Sequence, residues 1–317
     1  MGDAVRAVWM NGFGGPEVLV AGEAPDPVAG PGQALVEVAY ANTTFVETQY
    51  RRTGQGPFRL EPPAIPGNGV GGVVTRVGEG VDPGLVGQRV ITSTGGRGGY
   101  AERVAVDAAG LVVVPDGVPL DTAVALLADG RTALLNLRAV GDVAGLRVLV
   151  LAAAGGVGTL LVQLAKAAGA TVVGAAGGAE KGEVVRGLGA DEVVDYTEPD
   201  WGADPVDVVF DGVGGPTARA AFELLRPGGR MLSFGLASGE WAGIDPDLAA
   251  GRGVTLVEGR RPTPQELADL VATVLRHAAD GTVRPVIGQR FPLDRAADAH
   301  AAIESRATVG KTLLEVR

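Results

Sequence analysis

The sequence predicts an α/β protein in which a doubly wound parallel-sheet domain is inserted into a β-rich, partly open barrel. Three observations carry this reading. The run Arg147-Val-Leu-Val-Leu-Ala-Ala-Ala-Gly-Gly-Val-Gly158 reads as a buried strand, a glycine turn and the start of a helix. After it, strand-like and helix-like segments alternate, which is the pattern of βαβ units. Before it, and again at the end of the chain, short Val-rich segments are cut by Gly and Pro clusters.

In the first part, strands are expected over residues 4–10, 33–40, 70–77, 89–92, 100–106 and 111–114, with turn clusters at 12–16, 25–32, 62–72 and 95–99. Crowded turns between short strands suit a partly open barrel better than a layered sheet. From Leu120 the composition shifts toward Ala and Leu. Asp121 is a candidate N-cap for a helix to Ala128, and a second helix is expected over 132–140. Strands at 147–151, 171–175, 192–195, 206–210, 230–234 and 254–257 then alternate with helices at 156–168, 180–188 and 217–225. A parallel sheet built this way binds ligands at the carboxyl ends of its strands. An amphipathic helix over 265–279, an extended stretch over 283–291, a helix over 293–302 and a strand over 311–316 follow. This tail is expected to return to the first domain. The boundaries so read are 1–119 and 263–317 for the β-rich domain and 120–262 for the inserted one.

Composition narrows the chemistry. With 317 residues, 46% of them apolar and 20% charged, the chain can bury two cores and is not a disordered polymer. A net charge of −10 speaks against nucleic acid or an anionic membrane as partner. Arg51-Arg52 and Arg260-Arg261 are local basic pairs, read first as solvated surface pairs and second as phosphate contacts. There is no Cys, and His stands only at 277 and 300. Disulfide and thiol chemistry are excluded, and zinc lacks its usual ligands. Both histidines lie in helical stretches and read as helix-surface residues. The first ten residues lack the apolar core of a signal peptide. Residues 148–165 form an uncharged run of membrane-spanning length, but Gly155, Gly156 and Gly158 at its middle favour strand, turn and helix. A soluble, cytoplasmic protein is expected.

The glycine turn carries the functional signal. A helix opening at Gly156 offers unpaired N–H groups and a partial positive charge, and a turn of Ala and Gly lets a diphosphate approach them. Read as a G-x-G-x-x-G fingerprint, its positions are Ala153, Gly155 and Gly158, with Ala in place of the first Gly. Gly156 and Val157 lie between them. The second strand runs into Ala175-Ala-Gly-Gly178 with no acid at its tip, and Glu180-Lys181 opens the next helix. An acid there would hold a ribose 2′-hydroxyl. Small residues and a lysine leave room and charge for a 2′-phosphate, so NADP(H) is favoured over NAD(H). A solvent-facing helix lysine is the alternative reading of Lys181.

With these motifs the chain resembles the zinc-independent quinone oxidoreductases of the medium-chain dehydrogenase/reductase superfamily, over nearly its whole length. The most specific part is residues 148–158, matching that family's Ala-Ala-x-Gly-Gly-Val-Gly loop. Val172-Val-Gly-Ala-Ala-Gly-Gly-Ala-Glu-Lys181, Leu188-Gly-Ala-Asp191, Val194-Asp-Tyr196, Phe210-Asp-Gly-Val-Gly-Gly215, Leu225-Arg-Pro-Gly-Gly-Arg230 and Gly98-Gly-Tyr-Ala-Glu102 are similar too. The resemblance implies a Rossmann domain inserted into a GroES-like catalytic domain, and a homodimer. It also implies a 2′-phosphate held at Gly174, Lys181 and Tyr196, a nicotinamide end near Phe234 and Gly235, and a cofactor and substrate border at Gly130-Arg-Thr132. There are departures. Thr44-Phe-Val-Glu47 stands where the family often has Asn-Phe-Ile-Asp, Gly69 where it often has Glu, and Gly56 where some relatives have Tyr.

Without a Lewis acid, hydride transfer needs an acceptor that is already electron-poor, a quinone or an alkene conjugated to a carbonyl. The cofactor supplies the hydride and the protein supplies orientation and electrostatics. Asn42, Tyr50 and Thr132 are the candidate donors to the acceptor's oxygen, with Arg131 and Arg52 as added positive charge. Each donor has a plainer reading: a turn residue for Asn42, packing for Tyr50, a helix N-cap for Thr132. An NADPH-dependent reductase of a small-molecule quinone or enone leads. An enoyl-thioester reductase, or an NADPH-binding sensor or structural protein without turnover, are the alternatives.

Overall fold

The computed structural model describes residues 4–259 and 262–317; Arg260 and Arg261, one of the two basic pairs, lie outside the described residues. In chain order the elements are β1 (Ala4–Met10), β2 (Leu19–Pro25), β3 (Gln33–Thr43), α1 (Phe45–Thr53), β4 (Gly69–Val77), β5 (Arg89–Ser93), β6 (Arg103–Asp107) and β7 (Val112–Val113). Then come α2 (Leu120–Val140), β8 (Arg147–Val150), α3 (Gly156–Ala167), β9 (Thr171–Ala176), α4 (Ala179–Gly187), β10 (Glu192–Asp195), β11 (Val206–Asp211), α5 (Gly215–Glu223) and β12 (Leu225–Ser233). The chain closes with α6 (Pro246–Gly251), β13 (Thr255–Leu256), α7 (Pro264–Ala279), β14 (Gln289–Pro292), α8 (Ala296–Glu304) and β15 (Thr312–Glu315). These fall into two units, Met1–Ala128 with Val271–Ala279 and Ile287–Arg317, and Asp129–Leu270 with Asp280–Val286.

The first unit is built on a seven-stranded sheet in the order β14-β15-β3-β4-β5-β7, with β6 also paired to β3. A separate hairpin-like pair, β1 with β2, is antiparallel over its whole length. β3 is the spine. Its early residues pair with β6, its last four with β15, and its other edge with β4. The chain's last strand therefore completes a sheet begun by its third. Alternate side chains Val36 and Val38 of β3, with Val70, Val74, Val90, Tyr100 and Leu314, fill the core of this unit. β4 crosses β3 at a short distance: a Cβ on Gly72 would lie 1.9 Å from the Glu37 carbonyl oxygen.

The second unit is a six-stranded, wholly parallel sheet in the order β10-β9-β8-β11-β12-β13. Counted along the chain this is 3-2-1-4-5-6, the doubly wound order, with the direction of winding reversing between β8 and β11. Strands covered on both faces need apolar residues at every position rather than at alternate ones. Val148, Leu149, Val150, Val172, Val173, Val208, Val209 and Phe210 are all fully buried. At the amino edge of this sheet, the Arg230 guanidinium donates to the carbonyls of Val140 and Asp142 and so fixes the end of α2.

Three local expectations change. The helices expected at 121–128 and 132–140 are one helix, because Gly130 keeps helical backbone and buried Ala and Leu residues continue on both sides of it. Thr132 is consequently a mid-helix residue, not an N-cap. α1 and β2 arise in stretches for which the sequence predicts no element. The α1 signal is present in the sequence: Thr44 and Glu47 form a capping box and Gly54, at φ 71°, ends the helix. Replacing Gly72 with Ala should destabilise the protein by about 2 kcal/mol or more, since neither backbone can move aside cheaply. Urea unfolding of Gly72→Ala against the parent protein checks this; an unchanged midpoint would contradict the close approach.

Candidate functional site

The carboxyl edge of the parallel sheet gathers most of the residues singled out from sequence. β8 ends at Val150, and the chain turns through Ala152, which takes the left-handed conformation at φ 52°. A non-glycine residue there costs about 1–2 kcal/mol. The turn is held by Gly155 N–H donating to the Ala152 carbonyl, 2.8 Å, and Ala153 N–H donating to Ala175 of β9, 2.9 Å. α3 then starts with Gly155 as N-cap, in extended conformation and with no side-chain hydrogen bond to the first turn. Its leading N–H groups thus have no capping side chain of their own, the arrangement that suits an anion. A Cβ on Gly158 would lie 2.1 Å from the Ala152 carbonyl oxygen, so only glycine lets the helix pack this close to the turn.

Ala153 fits where the fingerprint has glycine. It is buried, its φ is ordinary, and its methyl points at Gly174, where a Cβ would stand 3.4 Å away. The missing side chain on the neighbouring strand makes the room. The same packing gives a structural reason for Gly174. It lies inside β9, paired on one side to Val150 and on the other to Val193, and a Cβ there would run into Val185 at 2.2 Å. Gly174 is a packing glycine. Gly177 lies beyond the end of β9, where a Cβ would meet the Thr197 methyl at 3.1 Å and the Tyr196 ring at 3.4 Å.

Lys181 sits in the first turn of α4, and Tyr196 follows β10 directly, so both belong to the same corner as Gly177 and Gly178. Asp195 was not anticipated as a site residue. Its carboxylate accepts from Gly178 N–H at 2.9 Å, Thr197 N–H at 2.9 Å and the Thr197 hydroxyl at 2.6 Å, and these bonds hold its pKa below the usual value. The Asp-x-Thr spacing was the available signal. The acid at this corner is turned onto the backbone and shapes the Gly177-Gly178 tip.

Asp211, at the end of β11, has the same function one crossover along. It is fully buried; one oxygen accepts from Val213 and Gly214 N–H, both 2.8 Å, and the other from the Ser233 hydroxyl, 2.8 Å. Its carbonyl accepts from Phe234 N–H, 2.8 Å. Phe234 and Gly235, half-buried at the end of β12, therefore lie on the turn at Gly212, where a Cβ would meet the Phe234 ring at 3.0 Å.

In the first unit, Asn42 on β3 is fully buried and neither atom of its amide has a hydrogen-bond partner. Gly69 leaves the space it occupies: a Cβ at 69 would lie 2.5 Å from Asn42 Nδ2. Tyr50, on α1, is buried edge-on between Phe13 and Phe58, and its hydroxyl donates to the Leu60 carbonyl and accepts from Leu60 N–H, both 2.8 Å. That geometry leaves Tyr50 no proton for a substrate. Arg51 is not a solvated surface residue as the sequence suggested; it is buried, paired with Glu304 and donating to the Gly14 carbonyl. Arg52 is exposed and bonds Gln49.

Residues 30–116 match the family described as alcohol dehydrogenase GroES-like domain, and residues 188–314 the family described as zinc-binding dehydrogenase. The chain is 32% identical to a quinone oxidoreductase of Pseudomonas aeruginosa, over 98% of this chain and 99% of that one. It is 31% identical to a 2-haloacrylate reductase of a Burkholderia species, over 98% of each. Among solved structures, the Escherichia coli quinone oxidoreductase complexed with NADPH superposes with a TM-score of 0.87 at 29% identity, covering 98% of this chain and 99% of that one.

The zinc in one of those family descriptions has no fitting donor set here. The chain has no Cys, and among the described residues no three His, Asp or Glu side chains are grouped to hold a metal. His277 is half-buried on α7. His300 is not on a helix surface: α8 turns it inward with Ala296 and Ala299, and its Nε2 lies 2.9 Å from the Tyr100 hydroxyl. Burial, with a smaller contribution from Arg51, pushes its pKa down to about 3. The unfolded chain binds this proton near pH 6.5 and the folded one only near pH 3, so stability is full above 6.5 and falls as the pH drops toward 3. Between pH 7 and pH 5 the parent protein should lose about 2 kcal/mol more than His300→Gln. Equal losses in urea unfolding at the two pH values would show that His300 is protonated in the fold.

Proposed function

Because this chain belongs to the quinone oxidoreductase family of the medium-chain dehydrogenase/reductase superfamily, we propose that it is an NADPH-dependent oxidoreductase that reduces a quinone or an α,β-unsaturated carbonyl without a metal. The observation that carries the reading is the corner formed by the uncapped start of α3 and the acid-free tip of β9. The N–H groups at Gly156, Val157 and Gly158 suit a diphosphate, and Gly177, Lys181 and Tyr196 suit a 2′-phosphate. Asp195 would repel that phosphate if it faced it, but its oxygens are committed to Gly178 and Thr197. Bound there, the cofactor supplies the hydride.

The chain's own residues orient and stabilise. Asp211 holds the Phe234-Gly235 loop against which a nicotinamide would rest. Negative charge develops on the acceptor's oxygen, and Thr132 is the proposed donor to it. Asp195 and Asp211 at this edge are committed to backbone and hydroxyl donors, which suits an acceptor that takes hydride first and a proton from water afterwards. An activated alkene is supported by the relative named for 2-haloacrylate, an alkene conjugated to a carboxylate. A homodimer is proposed along β13, whose outer edge has no partner strand among the described residues; a single-chain mass in sedimentation would remove that proposal.

The test is oxidation of NADPH and NADH in parallel with 1,4-benzoquinone and a simple enone. NADPH should be preferred at least tenfold in kcat/KM, and Lys181→Ala should erode that preference by about 10- to 100-fold, the value of a charge-assisted contact. A preference for NADH would overturn the assignment of Lys181. Tight NADPH binding with no turnover of any acceptor would make the protein a binder without chemistry.

A further inference from the structure

Arg131 differs from every other arginine that the fold shields from solvent. Arg51, Arg89, Arg103, Arg147, Arg230 and Arg252 are each held by a carboxylate or by backbone carbonyls. Arg131 is half-buried and, among the described residues, its guanidinium makes no hydrogen bond and no ion pair. Arg131 keeps part of its surface in water while no protein group holds its guanidinium, so the fork is available to a ligand at the edge it reaches. Burial holds the Arg131 pKa below the ordinary arginine value, with the charge of Asp129 opposing it in part.

Its position points to the ligand. α2 ends at the amino edge of the parallel sheet, where Val140 is fixed by Arg230. A helix that feeds a strand of a parallel sheet runs back antiparallel along it. Nine residues back from Val140, at about 1.5 Å each, is about 13 Å. That matches the length of a four-residue strand such as β8, at about 3.3 Å per residue. Arg131 is thereby level with the carboxyl ends of the strands, the edge at which β8 turns into α3. Thr132 is the next residue of the same helix. The phosphates of the cofactor have their own recognition at α3 and Lys181, which leaves Arg131 for a different anion.

We propose that Arg131 is a specificity-determining residue that binds a carboxylate on the hydride acceptor, so that α,β-unsaturated acids and carboxylate-bearing enones are preferred to neutral acceptors. This rests on the oxidoreductase reading above. The guanidinium fork matches a carboxylate in two parallel hydrogen bonds and fixes its plane, which would align the conjugated alkene. In the reaction the alkene π bond breaks as hydride adds to the carbon β to a carbonyl. NADPH becomes NADP+, and a proton from water completes the α carbon.

The experiment compares trans-3-benzoylacrylate with its methyl ester, which differ in one charge, as acceptors for the parent protein, Arg131→Gln and Arg131→Lys. The readout is the ratio of kcat/KM for acid over ester, with the NADPH Kd from cofactor fluorescence. Arg131→Gln should lower the ratio at least tenfold, and Arg131→Lys should restore part of it. An unchanged ratio in Arg131→Gln overturns the proposal, whether or not overall activity falls. A raised NADPH Kd with an unchanged ratio gives the guanidinium to the cofactor's phosphates and overturns it too. If the parent protein turns over neither compound nor any quinone, the oxidoreductase reading fails; turnover of both at an unchanged ratio removes the Arg131 proposal alone.

Discussion

The approach of α3 to the turn that precedes it is the constraint on which the candidate site depends. The Ala152 carbonyl lies where a side chain on Gly158 would begin, at 2.1 Å, and Ala152 accepts a left-handed backbone to put it there. The result is a helix whose first N–H groups are brought to the sheet's carboxyl edge with no capping side chain. The same tight turn sets Ala153 into the space left by Gly174, so the site and the core of the second unit are packed by one set of small residues. A larger group at any of these positions would displace the start of α3 and, with it, the proposed diphosphate site.

Carboxylates at this edge are used to build loops. Asp195 fixes the Gly177-Gly178 tip and Asp211 ties together the turns after β11 and β12, in each case by accepting backbone N–H groups. A carboxylate whose lone pairs are committed to fixed donors is a poor general base. Rigidity is what remains for it to contribute, and positioning is the main demand of hydride transfer to an activated acceptor. The chemistry proposed for this site and the way its acids are spent are therefore consistent.

A second group of buried polar residues organises the first unit. Glu47 accepts from Thr44 at the start of α1 and from Asn68 N–H across the loop, while Arg51, one turn further, reaches Glu304 of α8. Burial raises the Glu47 pKa, offset in part by those hydrogen bonds and by Lys311. Tyr100 and His300 share a hydrogen bond beside it. Such a network in a low-dielectric core is costly to break because each member leaves the others unsatisfied. Here it anchors α1, whose buried residues are Glu47, Thr48, Tyr50 and Arg51.

The chain alone determined the parallel sheet, the glycine turn and the ligand edge. Fully apolar strands, Ala/Leu helices and a Gly-rich junction are properties of neighbouring residues, and periodicity reports which of them share a face. The α1 helix was legible in the same way, in Thr44, Glu47 and Gly54, but its turn-rich surroundings masked it. Tertiary structure decided what each polar side chain meets. Gly177 rather than Gly174 faces Tyr196, Tyr50 gives its proton to Leu60, His300 is buried against a tyrosine 200 residues away, and Arg131 is left without a partner. Local sequence carries no record of such pairings, because burial and hydrogen bonding are set by segments that only folding brings within a few ångströms of each other.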